Sequence, residues 1–178
     1  SVSAAIRGEG PPIRVLLGRA QAHGRVTAVE TSAQSSCWCL HVRDAAGRHL
    51  LDAAAYQEAL AAITSLVGDR LVLQITSESV GIYSAPEQMA VVRAVRPEAV
   101  SLALRELVPD AAAEGGFAEF LAWLERERVA PQIIVYSPEE ASRLADLVRR
   151  GLVPWDHVPV LFVLGRYSGQ LASPADLA

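Results

Sequence analysis

The residues best suited to chemistry lie on one short segment, Cys39-Leu40-His41-Val42-Arg43-Asp44. On a strand, the two-residue period places Cys39, His41 and Arg43 on one side. A thiolate and an imidazole so spaced are a ligand pair that suits Zn2+ or another divalent metal. The same residues also have a plain reading, with Cys39 a buried small hydrophobe and His41 a hydrogen-bonded strand-end histidine. Cys37 shares that side but is only two residues from Cys39, which is poor geometry for a disulfide, so reduced thiols are expected.

Four further places carry polar residues where an apolar run ends. Gln74-Ile75-Thr76-Ser77-Glu78-Ser79 offers hydroxyls and a carboxylate that either hold a substrate carboxylate or cap the loop. Ser101 to Glu106 ends in adjacent opposite charges, Arg105 and Glu106, which are an active-site pair or an ordinary surface pair worth little. Gln132 sits at the start of the next run and Tyr136 and Ser137 at its end; Arg166 sits in the Gly-flanked turn 165–169, where it and backbone N–H groups suit a phosphate. No phosphate loop, dinucleotide fingerprint, CxxC pair or nucleophile elbow occurs. His23, His49 and His157 read as surface histidines, and Trp38, Trp123 and Trp155 as packing.

These positions matter because of the elements that must hold them. Apolar strand-length runs at 37–42, 70–76, 99–104, 131–136 and 158–164 alternate with helical stretches at 52–66, 86–95, 117–128 and 138–150. The strands read as parallel and covered on both faces, and ligands gather at the C-terminal ends of such strands. Ser84-Ala85-Pro86-Glu87 and Ser137-Pro138-Glu139-Glu140 each announce a helix start, and Gly151 stops the last helix. Before Cys37 the pattern predicts no strand and a short helix over Ile13 to Ala22. Ser173 to Ala178 reads as another helix beginning.

The 178 residues are 51% hydrophobic with a formal net charge of −4, which fits one α/β domain with a substantial core and gives no electrostatic footprint for nucleic acid or an anionic membrane. No apolar run approaches the ~18 residues of a membrane span, and the chain reads as soluble and cytoplasmic. Strands about every thirty residues suit either an open doubly wound sheet or part of a (β/α)8 barrel, whose full form takes ~250 residues.

Leu40-His41-Val42-Arg43-Asp44, with Gly47, Leu51-Asp52 and Tyr56, resembles the HLHVRD…G…LD…Y segment of the β-keto acid cleavage enzymes. Leu73 to Glu78, Val80 to Ser84, Val95 to Leu102 and Phe162 to Gly165 resemble later segments of that family in the same order, so the resemblance covers about residues 36–178, with 1–35 undefined. It implies a partial (β/α)8 barrel of about five βα units and a divalent metal, usually zinc. It also implies acyl transfer between a β-keto acid and acetyl-CoA as co-substrate, giving acetoacetate and a new acyl-CoA.

On the matching positions, His41 takes the place of one metal histidine and Cys39 that of the other, a departure that would make the metal a poorer Lewis acid. Thr76 and Ser77 fit the family's hydroxyl-bearing loop; together with the strand-end reading this gives expected catalytic roles for Thr76, Ser77, Arg105 and Glu106, and substrate contacts from Glu78, Gln132 and Arg166. Glu78 stands where glycine is common, and Gln132 stands in a stretch that is often glutamate-rich, where it can hydrogen-bond but cannot act as a base. No counterpart of the late-barrel segment, with its metal glutamate, is found before Ala178. A partial barrel exposes its edges, so a homo-oligomer is expected. The rival reading is a non-catalytic relative that binds a small carboxylate or a protein partner.

Overall fold

In a computed structural model, the chain is described at residues 3–5, 14–16, 25–30, 37–44, 46–79 and 81–163. Two short strands, β1 (Ser3–Ala5) and β2 (Arg14–Leu16), pair antiparallel. The expected helix over Ile13 to Ala22 is therefore a strand where it is described; a short apolar run does not by its spacing separate the two. Next come β3 (Arg25–Glu30), β4 (Cys37–Arg43), α1 (Ala53–Val67), β5 (Val72–Thr76), α2 (Ala85–Val95), β6 (Ala99–Ala103) and a one-turn helix α3 (Leu104–Leu107). A 3-10 turn, α4 (Glu114–Glu127), β7 (Ala130–Val135), α5 (Pro138–Arg149) and β8 (Val160–Phe162) complete the described order.

The six strands β3 to β8 form one sheet in sequence order, with β4 to β8 parallel. Five parallel strands, four of the links between them helical, make a partial (β/α)8-type fold. The added strand β3 runs antiparallel to β4, with a register shift between Val26 and Ala28. Its sequence, Arg-Val-Thr-Ala-Val-Glu, lacks the continuous apolar run of a doubly covered strand, which is why no strand was expected before Cys37.

Local chemistry sets the helix starts. Asp52 caps α1 by accepting from the Ala55 N–H at 2.8 Å. Ser84 and Glu87 form a reciprocal capping box on α2, and Ser137 caps α5 ahead of Pro138. Gly151, at φ +71°, follows α5 in the left-handed conformation that glycine tolerates. Leu104, expected to end a strand, instead opens α3, and α4 begins three residues ahead of the expected Phe117.

The pleat divides each strand into two kinds of side chain. Trp38, Leu40 and Val42, Leu73 and Ile75, Val100 and Leu102, and Ile133 and Val135 join one buried apolar cluster with Tyr56, Val92, Phe120, Leu121, Leu124 and Leu147 from the helices. The alternate positions, Cys39 and His41, Gln74 and Thr76, Ser101, and Gln132, are polar. The second face mixes these polar groups with Ala99, Ala103, Ala130 and Ile134, and β6 is buried at every residue and β5 at all but Val72, so the expected cover on both faces holds for these two strands. At the sheet's end, Val160, Leu161 and Phe162 of β8 are 42%, 39% and 37% exposed, so among the described residues this strand lacks such cover.

The buried Tyr56 hydroxyl ties α1 to the site end of β5 by donating to the Thr76 carbonyl at 3.0 Å. Tyr56→Phe removes this buried bond and is expected to cost about 1 kcal/mol. A lowered urea midpoint with unchanged slope checks this; an unchanged midpoint would show that the bond does not hold the two elements together.

Candidate active site

Because Cys39 and His41 are two residues apart on β4, their side chains converge, with Cys39 Sγ 3.8 Å from His41 Nε2. The other face of the imidazole is met from the loop after β5, where Glu78 Oε2 lies 3.6 Å from His41 Nδ1. Ser101 of β6 completes the surroundings of the sulfur, its Oγ 3.9 Å from Sγ. The Cys39 sulfur first and the Glu78 carboxylate second favour the protonated ring, and together they outweigh burial and push the His41 pKa up to about 9. The His41 imidazolium in turn holds the Glu78 carboxyl below the usual carboxylate range.

A second group lies on the loops after β6 and β7. Arg105 and Glu106, expected as a possible pair, are not paired. The Arg105 guanidinium grips Glu140 of α5, with Nε 2.6 Å from Oε1, and stacks over the Tyr136 ring at 4.2 Å. Glu140 also accepts from the Tyr136 backbone N–H at 2.9 Å. Glu106 instead receives the Ser79 backbone N–H at 2.8 Å, and burial raises its carboxyl pKa. Neighbours in sequence on one helical turn point apart, which leaves each free to meet a different loop.

The remaining expected residues fall into three groups. Gln132 is on the polar face, where its Oε1 accepts from Gln74 Nε2 at 3.1 Å. Thr76 and Ser77 are buried and spent on protein contacts: Thr76 Oγ1 accepts from the Glu78 N–H, and Ser77 Oγ donates to Gln88 Oε1 at 3.2 Å. They shape the Glu78 loop. Arg166, the turn around it, His23 and the expected terminal helix lie outside the described residues.

Sequence reasoning missed Glu140, whose acidity was fully accounted for by a helix first turn, and His49, which is buried instead of lying on the surface. His49 packs edge-on to Tyr83, ring centres 5.8 Å apart, and burial lowers its pKa.

Two tetrahedral zinc ligands, one sulfur and one nitrogen, would stand about 3.6 Å apart, so the Cys39–His41 separation suits a shared ion. Among the described residues, however, no three His, Cys, Asp or Glu side chains form a group that could hold one.

The family model described as beta-keto acid cleavage enzyme matches residues 27–178. The chain belongs to that family. The match begins inside β3, earlier than the residue 36 expected from the motifs, and takes in every strand of the parallel sheet together with Cys39, His41, Glu78, Arg105 and Glu106. No curated protein matches the chain. Among the described residues no helix is long and apolar enough to cross a membrane.

The His41–Glu78 contact generates a pH-dependent prediction. A histidine whose folded pKa exceeds its unfolded value stabilises the fold fully below the unfolded value and loses that contribution as pH rises through the folded one. The wild type should therefore lose stability relative to Glu78→Gln as pH rises from 6.5 to about 9. Urea midpoints of both proteins across this range check it; parallel pH curves would mean that Glu78 does not act on His41.

Proposed function

We propose that the chain catalyses acyl transfer of its family's kind, between a β-keto acid and acetyl-CoA, releasing acetoacetate and a new acyl-CoA. The observation that carries this reading is the family match across the parallel sheet together with the collection of polar and charged groups at the C-terminal ends of its strands. Such a reaction needs donors for the negative charge that develops on the keto oxygen, a fixed cation for the acid's carboxylate, and a group that moves a proton.

His41 is suited to the first role as a donor at the end of β4. Arg105 is suited to the second, since the Glu140 contact and the Tyr136 ring fix its plane while guanidinium geometry offers paired donors to a carboxylate. Glu106 is suited to the third: its carboxyl is half-buried and its pKa raised, which brings a carboxylic acid nearer to the working range of a general acid. Gln132 contributes a neutral hydrogen-bonding group for the substrate. Thr76 and Ser77 act at one remove, by holding the loop that carries Glu78.

The resemblance also carries a divalent metal, zinc foremost. Catalytic zinc takes three protein ligands, and Cys39 and His41 supply two. The described residues do not by themselves fit that group, so no step is assigned to it.

The test is to incubate the protein with acetyl-CoA and a panel of β-keto acids and to follow acetoacetate. Wild-type protein should form it, and Glu106→Gln and Arg105→Ala should each lower kcat/KM by about 100-fold or more, the scale of one acid–base group. If folded wild-type protein forms no acetoacetate with any β-keto acid, the reading fails and the chain is a non-catalytic relative.

A further inference from the structure

Two side chains large and apolar enough for a core lie instead on the site face of the sheet. Ile134 of β7 is only partly buried and Leu161 of β8 is 39% exposed, whereas Ile133 and Val135 on either side of Ile134 join the core cluster. Ile134 and Leu161 are register partners, and Ala103 of β6 is the partner of Ile134 on its other side. Partners in parallel strands project to the same face. Ala103, Ile134 and Leu161 therefore make one apolar row across three strands.

The surroundings of the row point to a ligand. Two residues earlier on the same face lies the polar row of Thr76, Ser101 and Gln132. Two residues later come Arg105 and Tyr136, the guanidinium stacked over the ring at 4.2 Å. The apolar row thus runs between a neutral carboxamide and the cation assigned above to the acid's carboxylate. Exposed apolar side chains among a few convergent polar groups, at the carboxyl ends of parallel strands, have the composition of a small-molecule pocket. No charged residue lies on the row, and Arg105 beside it is already engaged by Glu140.

We propose that this row receives the tail of the β-keto acid, the group beyond its keto carbon, and selects an uncharged aliphatic tail. Such a tail gains by leaving water for Ile134 and Leu161, and the small side chain of Ala103 leaves it room beside Ile134. A tail ending in a carboxylate or an ammonium group loses its hydration there and meets no opposite charge on the row. That the tail belongs to a β-keto acid rests on the function proposed above; the apolar row rests on register and burial alone.

Isothermal titration calorimetry of the full chain, without acetyl-CoA, tests this. It compares β-keto acids bearing methyl, ethyl and propyl tails with counterparts of similar length whose tails end in a carboxylate or an ammonium group. Affinity should rise about fourfold per added methylene, and the charged tails should bind at least about tenfold more weakly than propyl. Leu161→Ser and Ile134→Ser should each flatten the rise. Val160→Ser, the same kind of change one residue away on the other face of β8, should keep it. Circular dichroism checks that the variants fold, and the wild-type series decides alone where one does not.

Equal affinity along the series, tighter binding of a charged tail, or a rise that Val160→Ser flattens as much as Leu161→Ser would overturn the proposal. The same acids assayed with acetyl-CoA separate it from the proposed function. The rise in affinity without acetoacetate formation would uphold the row and sink the acyl transfer, whereas acetoacetate formed equally well from every tail would do the reverse. Binding of no β-keto acid would overturn both.

Discussion

The strand pleat of β4 is the constraint on which the rest depends. Alternate side chains of a strand point to opposite faces, and burial of Trp38, Leu40 and Val42 against the helices therefore commits Cys39 and His41 to the other face. A slip of one residue would bury the imidazole and expose a tryptophan, so the hydrophobic energy of the core enforces the register of the site. The same rule acts on β5, β6 and β7, where Ile75, Leu102 and Ile133 are fully buried while Gln74, Ser101 and Gln132 share the polar face. Three apolar anchors on neighbouring strands thus fix the positions of three polar groups they never touch.

Parallel pairing then gathers the strand ends. With β4 to β7 in order and running the same way, the loops that follow them open on one side, and charges distant in sequence become neighbours. Glu78 reaches His41 across the β4–β5 boundary, and Glu140 reaches Arg105 across the β6–β7 boundary. Glu140 also takes the Tyr136 N–H, so one carboxylate fixes a guanidinium and the end of a strand together. Contacts of this kind gain from partial burial and lose by removal of either partner, which leaves the other charge without its hydrogen bonds.

Much of this was legible from residue types. The parallel strands were readable as apolar runs, the starts of α2 and α5 from Ser-x-Pro-Glu and Ser-Pro-Glu-Glu patterns, and the convergence of Cys39 and His41 from their spacing alone. Long-range partners were not. Nothing local distinguishes Glu140 from Glu139 as an acid in a helix first turn, and only the fold brings it to Arg105. The antiparallel β3 escaped because an edge strand needs no continuous apolar run. Burial of His49 escaped because it depends on a loop folding back beside Tyr83. Ser77 shows the converse: its residue type suggested substrate contact, but its hydroxyl is used by Gln88.

The account's central claim is that the pleat of β4 and the loop after β5 hold one imidazole between a sulfur and a carboxylate. Titration of the His41 ring by nuclear magnetic resonance, with assignment from His41→Gln, tests it most directly. The account predicts a midpoint near 9, with Cys39 the largest contributor and Glu78 the next. A midpoint near the ordinary 6.5 would contradict it, because neither neighbour would then be holding the ring.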